Sequence, residues 1–319
     1  MTDRTLIVVN PASAAGRTLG EWPAIRSALA DAGVDCDHRL SAGPGDPTAI
    51  TREALGSGYR RVVAVGGDGT LNEVVNGFFA ADGSGPVRED AVLGMIPSGT
   101  GGDFRKSAGI PLDHAAAAAL LARGDERPID VGRIRFEEEP EGGVRHFINI
   151  ADCGLGGEVV ARANASSKRL GGTVTFYVAS VQAVMAFGRR RCRVEVDGVP
   201  ISGRMQNVVL ANGTCFGGGM LVAPEARLDD GLLDVIILGD IPRLRALLTS
   251  RTIYKGKHIG APGVMALRGR RIRITPLDSV PFRFDVDGEL VGRAPAVVDV
   301  LPGVIRLCAP AHGPVRRPR

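Results

Sequence analysis

The first third of the chain alternates two hydrophobic patterns. Thr5–Val9 and residues 36–40, 62–65 and 91–96 read as strands, and all but 36–40 are apolar at nearly every position. The most continuous of them suit burial on both faces of a sheet. Between them, apolar residues recur at helical spacing over residues 17–32, 47–55, 70–80 and 113–123. Gly33, Gly56 and Gly58 punctuate the ends of the first two helices. Strict alternation of strand and helix predicts a parallel sheet covered on both faces.

Near residue 128 the pattern changes. Residues 131–136, 147–151, 192–196, 206–211, 233–238, 271–275, 282–286 and 297–301 are short strand patterns separated by Gly, Pro or Asp-Gly turns. That spacing predicts an antiparallel sandwich or barrel, interrupted by helical patterns at residues 173–187 and 243–254. The fold class expected is an N-terminal α/β domain followed by a C-terminal antiparallel β-sandwich domain. The expected boundaries are 1–128 for the first and 129–302 for the second. A final strand at 304–308 lets residues 303–312 return to the first domain, and residues 313–319 form a basic, disordered tail.

Composition narrows the picture. Of 319 residues 44% are hydrophobic and 23% charged, which excludes wholesale disorder. Aromatics are only 4%, so the core is aliphatic. The 44 glycines show no three-residue period and point to turns and loops. A formal net charge of +4 permits an anionic partner without calling for nucleic acid. Five scattered cysteines (Cys36, Cys153, Cys192, Cys215, Cys308) contain no CxxC pair and read as buried thiols of a reducing compartment. No apolar run has the length of a signal peptide or membrane span. The expectation is a cytoplasmic protein with at most a peripheral contact at the inner membrane face.

Three small-residue loops follow three strands of the first domain: Asn10-Pro11-Ala12-Ser13-Ala14-Ala15-Gly16, Gly66-Gly67-Asp68-Gly69-Thr70 and Pro97-Ser98-Gly99-Thr100-Gly101-Gly102-Asp103. In a parallel sheet all three gather at the carboxyl edge, where such sheets bind ligands. Glycines let the backbone approach an anion. Thr70-Leu71-Asn72-Glu73 is a capping-box pattern that predicts a helix start, with its N-terminus facing a phosphate. Asp68 beside a phosphate makes sense with Mg²⁺ between them, or in handling a proton. The plain alternative is an ordinary tight βα turn. Walker A, GxGxxG and GxSxG patterns are absent.

Residues 66–77, GGDGTLNEVVNG, resemble the nucleotide-binding signature of diacylglycerol-kinase-type lipid kinases, a group that includes soluble bacterial diacylglycerol kinases and the sphingosine and ceramide kinases. The resemblance covers nearly the whole chain. Residues 97–104 resemble the second phosphate loop. Gly217-Gly218-Gly219-Met220, Ala223-Pro224 and residues 229–234 resemble the family's second-domain stretch, and Asp287-Gly288-Glu289 its late acidic motif. The resemblance implies ATP as donor, a lipid hydroxyl as acceptor and an active site in the cleft between the domains. It implies ATP contacts at Asn10, Pro11, Ala12, Ser13, Ala14, Ser41, Gly66, Gly67, Asp68, Gly69, Thr70, Leu71, Asn72, Gly99 and Thr100. Glu289 matches the general base, with Asp68 and Asp287 completing the catalytic set. Arg227, Asp230 and Leu232 match a structural Mg²⁺ site, in which Asp230 gives a carboxylate and the other two give backbone carbonyls. Asp103 and Asp130 match acidic residues of the surrounding network. Ala14 replaces a usual Gly and Gly102 a common Asn, which leaves the branch of the family open.

The bland readings stand beside these. Asp287-Gly288 and Asp197-Gly198 both read as hairpin turns. Asp229-Asp230-Gly231 alone reads as a turn, and the five histidines lack metal-ligand spacing. Arg189-Arg190-Arg191 with Arg193, and Arg268, Arg270, Arg271 and Arg273, read as a solvated face or as docking onto an anionic membrane. The acidic run 137–141 reads as a solvated hairpin tip facing away from it. The rival functions are a soluble-metabolite kinase of the NAD kinase type and a catalytically silent lipid or nucleotide sensor. The lipid, a homodimer and regulation are not readable from the sequence.

Overall fold

A computed structural model describes residues 4–98, 102–138, 143–155, 190–242, 252–279 and 281–310. The chain divides into two units, residues 1–131 with 302–319 and residues 132–301.

In the first unit, β1 (Thr5–Val9), β2 (Asp37–Leu40), β3 (Arg61–Gly66) and β4 (Val92–Pro97) lie parallel in the order β2-β1-β3-β4. The continuous apolar runs of β1, β3 and β4 are buried, whereas the edge strand β2 is polar and exposed. Helix α1 (Arg17–Asp31) buries Thr18, Trp22, Ile25 and Leu29, one stripe at helical spacing. Three of these, Trp22, Ile25 and Leu29, join Ala117, Ala118 and Leu121 of α5 (His114–Arg123) in a core with Ile7, Val9, Val63 and Val65. Helices α2 (Asp46–Gly56) and α3 (Asp68–Gly77) pack closely on each other. A Cβ at Gly77 would stand 2.6 Å from the Thr48 carbonyl oxygen, so only glycine permits that approach. Strand order reverses direction between β1 and β3, which places the topological switch point at the loops after them.

The helix expected to start at Thr70 begins at Asp68, and the capping box does not form. Thr70 Oγ1 accepts from Asn10 Nδ2 at 2.9 Å, and Glu73 accepts from the Gly45 N–H at 3.2 Å. Tertiary partners outcompete the local pattern. The short helix α4 (Asp103–Ala108) was not foreseen, because its cap comes from another loop.

Two long strands cross the expected boundaries. β5 covers Glu126–Phe136, and β16 (Ala296–Cys308) runs through Pro302-Gly303, where two separate strands were expected. The Gly303 N–H donates to Asp130 Oδ1 at 2.8 Å, and Gly303 holds a left-handed φ of 58° at that point of the strand.

The second unit has two antiparallel layers. One contains β5, β6 (Val144–Phe147), the first part of β16, β13 (Arg271–Pro276), β8 (Arg190–Val196) and β9 (Val199–Met205). The other has the order β12 (Val264–Gly269), β11 (Leu233–Leu238), β10 (Asn207–Ala211), β7 (Ile150–Gly154), β14 (Arg283–Val286) and β15 (Glu289–Arg293). Cys192, Val194, Ile272 and Ile274 of the first layer share a core with Val208, Leu210, Val235 and Phe284 of the second. The expected strand at 147–151 is split at Ile148-Asn149. Strands β9, β12 and β15 were missed; β9 and β12 end their sheets, and β9 and β15 have little burial to imprint an alternation. The helical pattern at 173–187, most of that at 243–254, and the tail 313–319 lie outside the described residues.

Candidate functional site

The loop after β1 is tied to β3 and α3 through Asn10. Its N–H donates to the Val65 carbonyl at 3.1 Å, its Nδ2 to Thr70, and its Oδ1 accepts the Ala12 N–H at 3.0 Å. Ala14 and Ala15 hold φ of 55° and 58°, and Gly16 holds 88°. Left-handed backbone costs a non-glycine residue about 1 kcal/mol or more, so Ala14 and Ala15 strain this loop. A chain of hydroxyls runs beneath it. Ser13 meets Thr18, Thr18 meets Ser98 Oγ at 2.7 Å, and Ser98 donates to Glu21 at 2.7 Å. Thr18 and Glu21 were not singled out from the sequence, and Ser98 entered only as part of the loop after β4, because serines and threonines carry no spacing signal. Ser41 is buried, and its N–H donates to the Val9 carbonyl at 2.8 Å.

The loop after β3 is equally constrained. A Cβ on Gly66 would lie 2.5 Å from Thr70 Oγ1, so a side chain there is excluded. Leu71 donates its N–H to the Gly67 carbonyl at 3.0 Å, and the buried Asn72 accepts from Asn76. Asp68 is the junction between this loop and the next. Its carboxylate accepts the N–H groups of Gly102, Asp103 and Phe104 at 2.9, 3.0 and 3.3 Å. It thereby caps α4 from a distant part of the chain. Burial pushes its pKa up, opposed by those amides and reinforced by the charge of Asp103. Asp103 is itself buried and bonded to Lys106 at 2.7 Å. Gly99 and Thr100 lie outside the described residues.

In the second unit, β14 and β15 meet in a two-residue turn, with Val286 opposite Glu289. Asp287 and Gly288 hold φ of 50° and 93°, values that suit a type I′ turn. Asp197 and Gly198 form the same turn at 49° and 84°. The side chains diverge. Asp197 is exposed and accepts the Arg270 and Arg271 amides. Asp287 is buried and accepts those of Ile148, Asn149 and Ile150 at 3.1, 3.2 and 2.9 Å. Asn149 and Asn212 extend this knot by donating to the Cys215 and Ile148 carbonyls at 3.0 and 2.8 Å. Asp287 thus fixes the turn from which the exposed Glu289 projects. Asp285 stands opposite Asp152 on β7, both buried. Burial first, then the charge of Asp287, raises Asp285 to about 7.

The turn from Arg227 to Leu232 carries Asp230, whose Oδ1 accepts the Leu232 N–H at 3.1 Å; Arg227 pairs with Asp229 at 3.3 Å. One carboxylate and backbone carbonyls are hard oxygen donors, a set that fits Mg²⁺. Among the described residues no group of three His, Cys, Asp or Glu is disposed to hold a metal. Gly217, Gly218 and Gly219 all hold positive φ, which only glycine adopts without strain. His146 and His258 are buried, and burial lowers both, His146 to about 3. Neither is poised as a general base. No described helix is long and apolar enough to cross a membrane.

Comparison with known proteins follows the same division. Residues 4–134 match the diacylglycerol kinase catalytic domain, and residues 149–309 the YegS C-terminal NAD kinase beta sandwich-like domain. A probable lipid kinase YegS-like of Pseudomonas aeruginosa is 32% identical over 99% of this chain and 97% of its own. A diacylglycerol kinase of Staphylococcus carnosus is 28% identical over 93% and 92%. The crystal structure of a putative diacylglycerol kinase from Bacillus anthracis matches the fold with a TM-score of 0.77 and 24% identity, covering 97% of this chain and 98% of its own. With both domains matched in order and a lipid kinase relative 32% identical over nearly the whole chain, the chain belongs to the diacylglycerol kinase family of lipid kinases.

Proposed function

We propose that this protein transfers the γ-phosphate of ATP to the hydroxyl of a lipid, with Mg²⁺. The observation that carries the reading is the Asp68 carboxylate, which binds the loop after β3 to the loop after β4 through three backbone amides. Two small-residue loops are thereby held together at the carboxyl edge of a parallel sheet, which is the place for a polyphosphate. Phosphoryl transfer asks a protein chiefly for positioning and charge neutralisation. Asn10 to Ala14, Ser41, Gly66 to Asn72, Gly99 and Thr100 cradle the nucleotide in the first unit. The second unit takes the lipid. Glu289 accepts the proton of the acceptor hydroxyl, and Asp287 is a positioning residue for it. Arg227, Asp230 and Leu232 would hold a structural Mg²⁺, and Mg²⁺ bound with ATP would neutralise charge on the transferring phosphates. Asp68 positions the two loops that it joins.

The test is transfer of labelled γ-phosphate from ATP to diacylglycerol, monoacylglycerol, ceramide, sphingosine and phosphatidylglycerol in mixed micelles, with NAD as a soluble control. The expected result is a labelled lipid that Glu289→Gln reduces by about 10²–10⁴-fold without changing the melting temperature. Label in NAD alone moves the protein to the soluble-metabolite class. ATP binding with no product on any acceptor supports a sensor.

A further inference from the structure

One face of the second unit has no part in that chemistry. Along β5, β8, β13 and β16 the residues between the core positions point to solvent on a single sheet face. Arg133 and Arg135 of β5, Arg191 and Arg193 of β8, and Arg271 and Arg273 of β13 lie there, joined by Arg204 of β9. Asp299 and Glu195 share these strand positions, Glu137 and Asp197 follow strand ends, and Asp278 lies at the rim. Seven arginines against these five carboxylates leave an excess of two.

One of these carboxylates is oversubscribed. Asp299 receives Arg133 at 3.6 Å, Arg271 at 3.1 Å, and Arg135 as well. Glu137, expected to be a solvated tip, pairs with Arg273 at 2.8 Å, and Glu195 lies 3.7 Å from Arg193. Arg191 and Arg204 stand directly opposite each other in the β8–β9 ladder. Like charges in that position destabilise a sheet, and among the described residues neither side chain has a carboxylate partner. Asp278 at the rim accepts the backbone N–H of Arg191. The face is open: the side chains of Arg193 and Arg271 are 50% and 62% exposed. Adjacent strands lie about 4.8 Å apart, so the guanidinium groups form a flat array and not a pocket. Guanidinium binds phosphate bidentately. No aromatic side chain stands among these outward positions to stack a base.

We infer that this arginine face docks the protein on the phosphodiester headgroups of an anionic lipid bilayer. The choice of a bilayer among polyanions rests on the lipid-acceptor reading above; the charge array does not. Each arginine near an anionic surface contributes about 1 kcal/mol, so Arg191→Gln with Arg204→Gln should weaken binding by about 30-fold.

The experiment is sedimentation of the full chain with phosphatidylcholine vesicles and with vesicles containing about one-third phosphatidylglycerol. Binding is expected only to the latter and should fall steeply with added NaCl. The double variant should lose it while its melting temperature holds or rises, because a like-charge pair is relieved. Arg26→Gln, on the exposed side of α1, should bind as the native chain does. Equal binding to both vesicles, or an unaffected double variant, overturns the inference. Tighter binding to duplex DNA than to vesicles at the same salt overturns the lipid assignment. Phosphate transfer in neutral micelles separates the two readings. If docking fails and the kinase reading stands, transfer survives without charge-dependent sedimentation; if the kinase reading fails alone, the reverse holds.

Discussion

Asp68 shows how a single side chain does work that its local sequence does not announce. It accepts three amides from a loop 34 to 36 positions away. Asp68→Asn replaces an acceptor with a donor facing those N–H groups. The expected cost is about 1–3 kcal/mol of stability, with weaker ATP binding, read by thermal melting and nucleotide titration. An unchanged melting temperature together with unchanged ATP affinity would overturn the junction role. Asp285 gives a second test. Its folded pKa of about 7 lies above the ordinary 3.8, so the native state binds more protons between those values. Stability therefore falls as pH rises through that window. Asp285→Asn, which keeps the acceptor oxygen, should gain on the native chain from pH 4 to 7 and then level off, by on the order of 1–3 kcal/mol. Melting curves across pH check this, and a pH-independent difference would sink it.

Among the elements, β1, β3 and β4 were legible because they are continuous apolar runs, and the long helices because each buries a periodic face; the polar, exposed β2 displays neither. Helix α5 also shows its cap: Asp113 accepts the Ala116 N–H at 2.9 Å. The antiparallel half was harder to read. Strands β9 and β15 stand largely exposed, so little burial imposes a pattern on them. Helix α4 and the break between β6 and β7 depend on Asp68 and Asp287, carboxylates remote in sequence. Close approaches are equally invisible locally. A Cβ on Gly132 of β5 would stand 2.1 Å from the Phe147 ring on β6. Gly132→Ala is expected to cost about 1–3 kcal/mol or more by overpacking, read as a lower midpoint in urea. A variant as stable as the native chain would show that the ring relaxes freely.

At the scale of the whole molecule, both units are held by packing without covalent links. All five cysteines are free, four of them buried and Cys36 half-buried. Burial pushes the Cys192 and Cys308 thiols up to about 12 and 11, which suppresses the reactive thiolate. A thiol reagent should label Cys36 first in the native protein and all five after denaturation without reductant. Fewer than five under denaturing conditions would reveal a disulfide and contradict the reducing-compartment reading.

The order of strands and helices, the three small-residue loops and the acidic motifs lie open in the sequence, because burial periodicity and turn chemistry are local properties. The family follows from those motifs in their order. Tertiary structure decided the roles of the side chains. Two Asp-Gly turns with the same backbone differ because Asp287 is buried against three amides of β7 and its approach, whereas Asp197 stands in solvent. The hydroxyl chain from Ser13 to Glu21 and the arginine face assemble residues from separate elements. Contacts between groups far apart in the chain leave no period in it, so only the folded backbone brings them together.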